Sequence, residues 1–546
     1  MSICTSNLTS GFIDLATYDE LEKYMYGGPD ATAYFVRETR KATWFTQVPT
    51  VLSRASGTPD FGQTWSVSIS RAGDYLLNTW LRVLIPQVPL NNLTNTFGDF
   101  TASYAARLGG QAPQQNEVQA AWVQNLMHNL VSECCITFND LVAARFDSLH
   151  LDFWAAFTVP ASKQQGYNNM IGNTALLTQA GGTAGGGTFN AGIQTAQGPV
   201  GGVMLNLPLP FFYARDSGVA LPTAALPYND MRITFTFRQL RDLLCAFCNN
   251  NTAAAAGPNM PLLQTAQVNN LDLPTSLSIP QVQVWAEYAI VSNDERKRMA
   301  CAPRDILIEQ VQTAPLQGFN PATNQNPSFD VRFSHAIKVL FFSVVNITAQ
   351  HAAKSVYGTD QPFMQPLQNG LPGTAAGAVI VYNSGVTADP IAQTSLIYEN
   401  TARLATMGSD YFSLVDPYYH SPVIPVNQVG LHMYSYSLDF ICLDPLGSTN
   451  YGKLTNVSMV PAASNRAQGL NGLANAAAGL PPVVGTAAGA DGRIVGFQQF
   501  FQAARGISTT AARAVGSVQQ QYQFVVTAIN NNIIRISGGA LGFPVL

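Results

Sequence analysis

Leu207-Pro208-Leu209-Pro210-Phe211-Phe212-Tyr213-Ala214-Arg215-Asp216-Ser217-Gly218, running on to Leu226-Pro227-Tyr228-Asn229, is the stretch on which the reading of the fold turns. It is apolar and aromatic, yet Pro208, Pro210, Pro222 and Pro227 interrupt it, and Asp216-Ser217-Gly218 and Pro227-Tyr228-Asn229 are turn signals. Proline fixes its own φ and lacks an amide donor, so no α-helix survives this density. The segment is expected to be a rigid, extended corner between two strands.

Around that corner the periodicity is that of strands. Trp65, Val67 and Ile69 alternate with Ser66, Ser68 and Ser70, and Tyr75 to Ile85 forms a longer apolar run stopped by Pro86 and Pro89. Further strands are expected at 133–139, 231–237 and 281–290. The second half repeats the pattern at 305–313, 329–347, 393–399, 431–443 and 522–536. Gly/Ala/Asn-rich stretches at 174–203, 249–262, 367–388 and 461–490 bury too little to build a core and read as long surface loops.

Between the halves lies the densest charge run, Ser292-Asn293-Asp294-Glu295-Arg296-Lys297-Arg298-Met299. Ser292 and Glu295 have the spacing of a capping box, which predicts a short helix with a solvated charged face. Near the start, Thr17 and Glu20 have the same spacing, Leu21, Tyr24 and Met25 share a helical face, and Gly27-Gly28-Pro29 ends the helix. The expected layout is an arm at 1–60, a β domain at 61–291, a helical linker at 292–303 and a β domain at 304–546. All-β domains of this size with long excursions between strands are sandwiches or jelly rolls.

Composition narrows the function. Of 546 residues, 47% are hydrophobic and 11% charged, a charged share well below the roughly 25% of ordinary soluble proteins. So sparse a charge suits a surface covered by other protein in a permanent assembly. The net charge of −4 offers no basic field for phosphates. The arm is itself slightly acidic: Lys23, Arg37, Arg40, Lys41 and Arg54 face Asp14, Asp19, Glu20, Glu22, Asp30, Glu38 and Asp60. No direct nucleic-acid contact is expected. The segment Met1-Ser2-Ile3-Cys4-Thr5-Ser6-Asn7 lacks a secretory pattern, and the apolar run near Val339 to Val345 is too short to span a bilayer, so cytosolic synthesis is expected.

Motif by motif, catalysis finds no support. Gly447-Ser448-Thr449-Asn450-Tyr451-Gly452-Lys453-Leu454 approaches a phosphate-binding loop, but leucine replaces the hydroxyl that would hold magnesium, and a structural turn is expected. Cys245 and Cys248 have no second pair of ligands at zinc spacing, and Cys4, Cys134, Cys135, Cys301 and Cys442 show no disulfide framework. Reduced, packed thiols are expected, with Cys134 and Cys135 on opposite faces of one strand. His128, His150, His335, His351, His420 and His432 are scattered. Phe211, Phe212, Tyr213, Tyr411, Phe412, Tyr418 and Tyr419 are read as core and subunit-interface residues, the competing reading being a glycan-binding platform. The expected sets of catalytic, cofactor-binding and metal-binding residues are therefore all empty.

Several segments resemble the major capsid proteins of iridoviruses, within the large double-stranded DNA viruses. They are Ser10-Gly11-Phe12-Ile13-Asp14-Leu15-Ala16-Thr17, Ala31-Thr32-Ala33-Tyr34-Phe35-Val36, Phe61-Gly62-Gln63, Met127-His128-Asn129 and Gly166-Tyr167-Asn168-Asn169-Met170-Ile171-Gly172-Asn173. The corner at 207–229, Arg332-Phe333-Ser334-His335-Ala336, Gly447-Ser448-Thr449-Asn450-Tyr451-Gly452 and Gly542-Phe543-Pro544 follow in order. The resemblance implies a double jelly roll, that is, two consecutive eight-stranded jelly rolls, and a homotrimeric capsomer of pseudo-hexagonal outline that tiles an icosahedral shell. It also implies an inward arm facing minor capsid proteins and an internal lipid membrane, outward loops, and a place in a virion capsid assembled in the host cytoplasm. Two other readings stay open at this point: a β-sandwich carbohydrate-active enzyme or lectin, and a penton or spike component.

Overall fold

The computed structural model describes residues 3–36, 42–86, 118–174, 202–248, 278–321, 323–347, 389–425, 430–464 and 521–543, with residue 177 and short strand pieces between 194 and 262. The glycine-rich stretches expected as surface loops fall largely outside the described residues. Met1–Thr46 is one compact unit and Gln47–Leu546 another.

The first unit carries α1 (Ile3–Thr17) and α2 (Glu20–Tyr26). The expected capping box does not form. The cap of α2 is Asp19, whose Oδ1 accepts the amides of Leu21 (2.9 Å) and Glu22 (3.2 Å), while the Thr17 hydroxyl donates back to the Asp14 carbonyl. A carboxylate directly before the helix meets two free amides and displaces the weaker hydroxyl cap. Gly27 ends α2 as expected, its amide donating to the Lys23 carbonyl. Phe12, Leu15, Leu21, Tyr24, Met25 and Tyr26 are exposed.

In the second unit the first half contributes β1 (Phe45–Val51), β2 (Thr64–Ser68), β3 (Tyr75–Ile85), β4 (Val131–Phe138), β5 (Leu141–Asp147), β6 (Val203–Pro208), β7 (Met231–Phe237) and β8 (Gln281–Val291). They form two sheets, β1-β8-β3-β6 and β2-β7-β4-β5, the second extended by Ala55–Ser56. The second half contributes β9 (Arg304–Thr313), β10 (Phe329–Asp330), β11 (Ala336–Asn346), β12 (Ile391–Tyr398), β13 (Thr401–Gly408), β14 (His432–Ser435), β15 (Val457–Ala463) and β16 (Tyr522–Ser537). Their order is β9-β16-β11-β14 and β10-β15-β12-β13, the same order strand for strand. Each half is an eight-stranded jelly roll. β1 lies in the range read as arm, yet it takes the edge beside β8.

The repeat reaches individual residues. β3 starts at 75 and β11 at 336, and they end at 85 and 346, a shift of 261 at both ends. Each carries a bulge at the same place: Leu77 is passed over in the pairing of β3 with β8, and Lys338 in that of β11 with β16. A bulge re-aims one side chain and bends its strand, so Leu77 and Lys338 are equivalent positions.

Alternating burial builds the first core. Trp65 and Val67 of one sheet face Leu81 and Val83 of the other, with Ile233 and Phe235 beside them. The corner after β6 differs from expectation. It is a chain of three 3-10 turns, Phe212–Ala214, Ser217–Val219 and Thr223–Ala225, not an extended rod. A single 3-10 turn needs few amide donors, so it fits between prolines where an α-helix cannot. Phe211, Phe212 and Tyr213 are buried, and the Tyr213 hydroxyl lies 2.8 Å from that of Thr79. Arg71 closes the corner by donating to the carbonyls of Leu226, Pro227 and Asn229.

Other departures have local causes. The strand expected at 329–347 is split into β10 and β11 around His335, which has a φ of 63°. The strand expected at 431–443 ends at Ser435, because the hydroxyls of Ser435 and Ser437 bond the carbonyls of Ser437 and Asp439 and turn the chain. Between the rolls, α6 (Asn293–Cys301) begins at Ser292 without the expected side-chain cap. Its charge run is not merely solvated. Arg296 donates from Nε and Nη2 to both oxygens of the buried Asp74 at 2.8 and 2.9 Å. Burial works to raise the pKa of Asp74, but the Arg296 bonds, the Val291 amide and the Arg296 charge outweigh it and hold the carboxyl below its ordinary value.

Candidate functional site

Between β3 and β6 the chain also forms α3 (Leu126–Leu130), α4 (Ser148–Thr158) and α5 (Ala161–Ile171). Sequence periodicity gave no hint of α4, whose Leu149, Leu151, Phe153, Trp154 and Phe157 surround the helix instead of marking one stripe. The reason is that α4 is covered on more than one side. It leaves the first roll directly after β5, capped by Asp147, which accepts the His150 amide, and lies on the outer face of the β9-β16-β11-β14 sheet. Phe153 and Phe157, one turn apart, stack on Phe341 with centroids 5.8 and 5.4 Å away. Val339, Met433, Phe440, Val525 and Ile529 complete this layer.

Three charges sit in the same junction. Lys338, aimed by the bulge, donates from Nζ to Glu309 Oε1 at 2.6 Å and to the Cys442 carbonyl at 2.7 Å. Arg215, from the proline-rich corner, pairs with the other oxygen of Glu309. Its guanidinium also lies 3.7 Å from the centroid of Trp154. Burial works against the Arg215 charge and lowers its pKa, while Glu309 supports the charged form. Backbone contacts close the edges: Gln310 Nε2 donates to the Ala143 carbonyl of β5, and the Ser421 hydroxyl to the Phe157 carbonyl. Such an arrangement can fix one domain on another. It presents no nucleophile beside a base.

Beside it, burial drives the His150 pKa down to about 3, with the Arg215 charge adding to the shift. Its Nδ1 has no hydrogen-bond partner among the described residues. The ring packs between Phe146 and Trp154 as a neutral aromatic.

The remaining polar clusters are structural by geometry. His128 is fully buried, with Nδ1 2.7 Å from Asp152 and Nε2 2.7 Å from the Tyr167 hydroxyl. His432 Nε2 lies 2.9 Å from Asp389, both buried. The Tyr398, Tyr436 and Tyr451 hydroxyls bond one another in a half-buried triangle. The near-miss phosphate loop is a turn, as expected: Thr449 and Asn450 pair with β11, and Asn450 then caps a 3-10 turn at Tyr451–Lys453. Cys245 and Cys248 lie on one strand, Leu244–Cys248. Cys134 is buried and Cys135 half-buried on the other face, with burial raising both thiols. Of the expected interface aromatics, Phe211 to Tyr213 and Phe412 are core, whereas Tyr418 and Tyr419 are exposed. Sequence reading missed Arg215, Glu309 and Lys338 as a set. The signal that could have found them is Lys338 itself, a charge inside the apolar run Ala336 to Val345.

Comparisons with known proteins agree along the chain. Residues 33–291 match the family model described as major capsid protein N-terminus, and residues 295–481 that of the large eukaryotic DNA virus major capsid protein. The major capsid protein of Costelytra zealandica iridescent virus is 54% identical over 100% of both chains. That of Lymphocystis disease virus 1 is 43% identical, also over 100% of both. Among solved structures, the PBCV-1 capsid model aligns with a TM-score of 0.60 at 17% identity, covering 94% of this chain and 100% of that one. The Faustovirus major capsid protein aligns at 0.53 and 10% identity, covering 95% and 96%.

Two measurements test the junction. Glu309→Ala leaves two buried cations unpaired, and urea unfolding should show a loss of about 3–5 kcal/mol. Lys338→Met keeps the Arg215–Glu309 pair and should cost less. For His150 the unfolded ring protonates near 6.5 and the folded ring near 3. The unfolded state therefore binds more protons between those values, and stability present above pH 6.5 is lost as pH falls through this window. Relative to His150→Phe, the wild type should weaken by up to about 1.4 kcal/mol per pH unit below 6.5. A pH-independent difference would show that this ring does not titrate on unfolding.

Proposed function

This chain belongs to the major capsid protein family of the iridoviruses, and we propose that it works as a homotrimer whose six jelly rolls form a pseudo-hexagonal block of an icosahedral shell. The observation that carries the reading is the internal repeat. Two rolls of one strand order, joined rigidly through α4, Phe341 and the Arg215–Glu309–Lys338 trio, act as one body with two near-equal lobes. Three such bodies about a three-fold axis approximate a hexagon, which tiles a surface.

The other parts follow from chemistry. The arm, with its independent unit Met1–Thr46 and exposed apolar side chains, is a docking element for minor capsid proteins on the inner side of the shell, close to a lipid membrane that it does not cross. No described helix is long and apolar enough to cross a membrane. The net charge of −4 gives no basis for direct genome contact. We place the domains at 1–60, 61–291, 292–303 and 304–546, with β1 and Ala55–Ser56 as the parts of the arm that enter the first roll, and assembly in the host cytoplasm.

Light scattering after size exclusion tests the trimer. A species near three times 58.6 kDa, about 176 kDa, is expected, and a stable monomer would overturn the reading. Deleting residues 1–30 should leave soluble trimers and impair shell formation. Loss of the trimer on that deletion would make the arm part of the subunit interface.

A further inference from the structure

The two sheets equivalent by strand order are covered differently. In β11 every residue from Ile337 to Val344 is buried, one face on its own core and the other under α4. In β3, burial alternates. The inner residues Leu81 and Val83 belong to the core, while Leu77, Trp80, Arg82 and Leu84 on the outer face remain partly exposed. That face is aromatic. Trp80 sits directly opposite Trp285 of β8, the rings stacked with centroids 6.1 Å apart, and Arg82 lies over Trp285. Arg82 Nε has no hydrogen-bond partner among the described residues.

The element that would match α4 is also uncovered. α4 follows β5, and in the second roll β13 is followed by a π-turn, Tyr411–Val415, and by α7 (Asp416–His420). β5 ends at 147 and β13 at 408, again a shift of 261. At this shift Phe341 corresponds to Trp80, Phe153 to Leu414, and Phe157 to Tyr418. Leu414 is 37% exposed, and Tyr418 is 68% exposed. The flanking strands repeat the contrast. β5 packs on β9 within the chain, whereas their counterparts β13 and β1 are both largely exposed.

We propose that the junction between the rolls is made a second time between copies: Leu414 and Tyr418 of one chain seat on Trp80 of the next, with β13 against β1. This rests on the trimeric reading and names its contact. The occupant is a second copy because the docking element, the receiving face and the flanking strands are all present on one chain at equivalent positions, and α4 on Phe341 already displays the mode of packing. The interface is head-to-tail. It closes after three chains when each junction turns a roll by a sixth of a circle. At the charged position of the inner junction the outer one has Leu77 in place of Lys338, so that position strands no buried charge when the contact is made or broken.

The test uses the full chain. A Trp80→Cys, Tyr418→Cys double variant treated with a short bismaleimide should give covalent trimers on a denaturing gel, absent from either single variant. Separately, Trp80→Glu and Tyr418→Glu should each reduce the solution mass threefold, to that of a monomer, with unchanged circular dichroism, while Tyr418→Phe keeps the trimer. A trimer that survives both glutamates and yields no cross-link would overturn this junction and leave the trimer standing. A monomeric wild type would overturn the trimer and the junction together.

Discussion

A sheet dry on both faces governs the rest of this structure. With one face on its own core and the other under α4, β11 and most of β16 have no access to water, so most of their side chains are apolar and a charge among them needs partners. Lys338 is the exception that recruits everything near it. Its ammonium requires Glu309, whose second oxygen requires another cation, and the proline-rich corner supplies Arg215. The corner that first marked the chain as β thus also delivers a charge from one roll into the other. His150 beside it stays neutral because burial disfavours its charged form, and the Arg215 charge adds to that.

How well each element could be read from sequence follows its exposure. β7 and β8 alternate along one wet face, and β3 is an apolar run bounded by Pro86, so their limits were read within a residue or so. β5 and β13 are edge strands with weak alternation, and they were missed. α4 was missed because burial on several sides removes the helical stripe. The junction was invisible for a different reason. Glu309 and Lys338 lie 29 residues apart and Arg215 farther still, so their meeting depends on tertiary packing that no local pattern carries. Aromatic runs foretold the core at Phe211 to Tyr213 and Phe412 without telling Phe212 from the exposed Tyr418.

The low charge of the chain has a structural counterpart. Part of the small charged complement is spent inside, in Asp74, Arg215, Glu309 and Lys338, where each holds separate segments together. The outside is left to neutral polar groups and to apolar faces suited to contact with protein. Stability of the single chain and its readiness to associate thus come from the same allocation of residues.

The position of β16 constrains the order of events during synthesis. It is close to the C-terminus, yet it lies between β9 and β11 in the middle of its sheet. The first roll has all its strands by Val291 and can close while the ribosome is still translating the second. The second roll cannot: until Tyr522 to Ser537 emerges, β9 and β11 have no neighbour between them and the layer that meets α4 lacks Val525 and Ile529. A nascent chain therefore carries a finished roll and an open one for most of the time the second half takes to appear. During that interval the half-built sheet is the part of the molecule most in need of a chaperone.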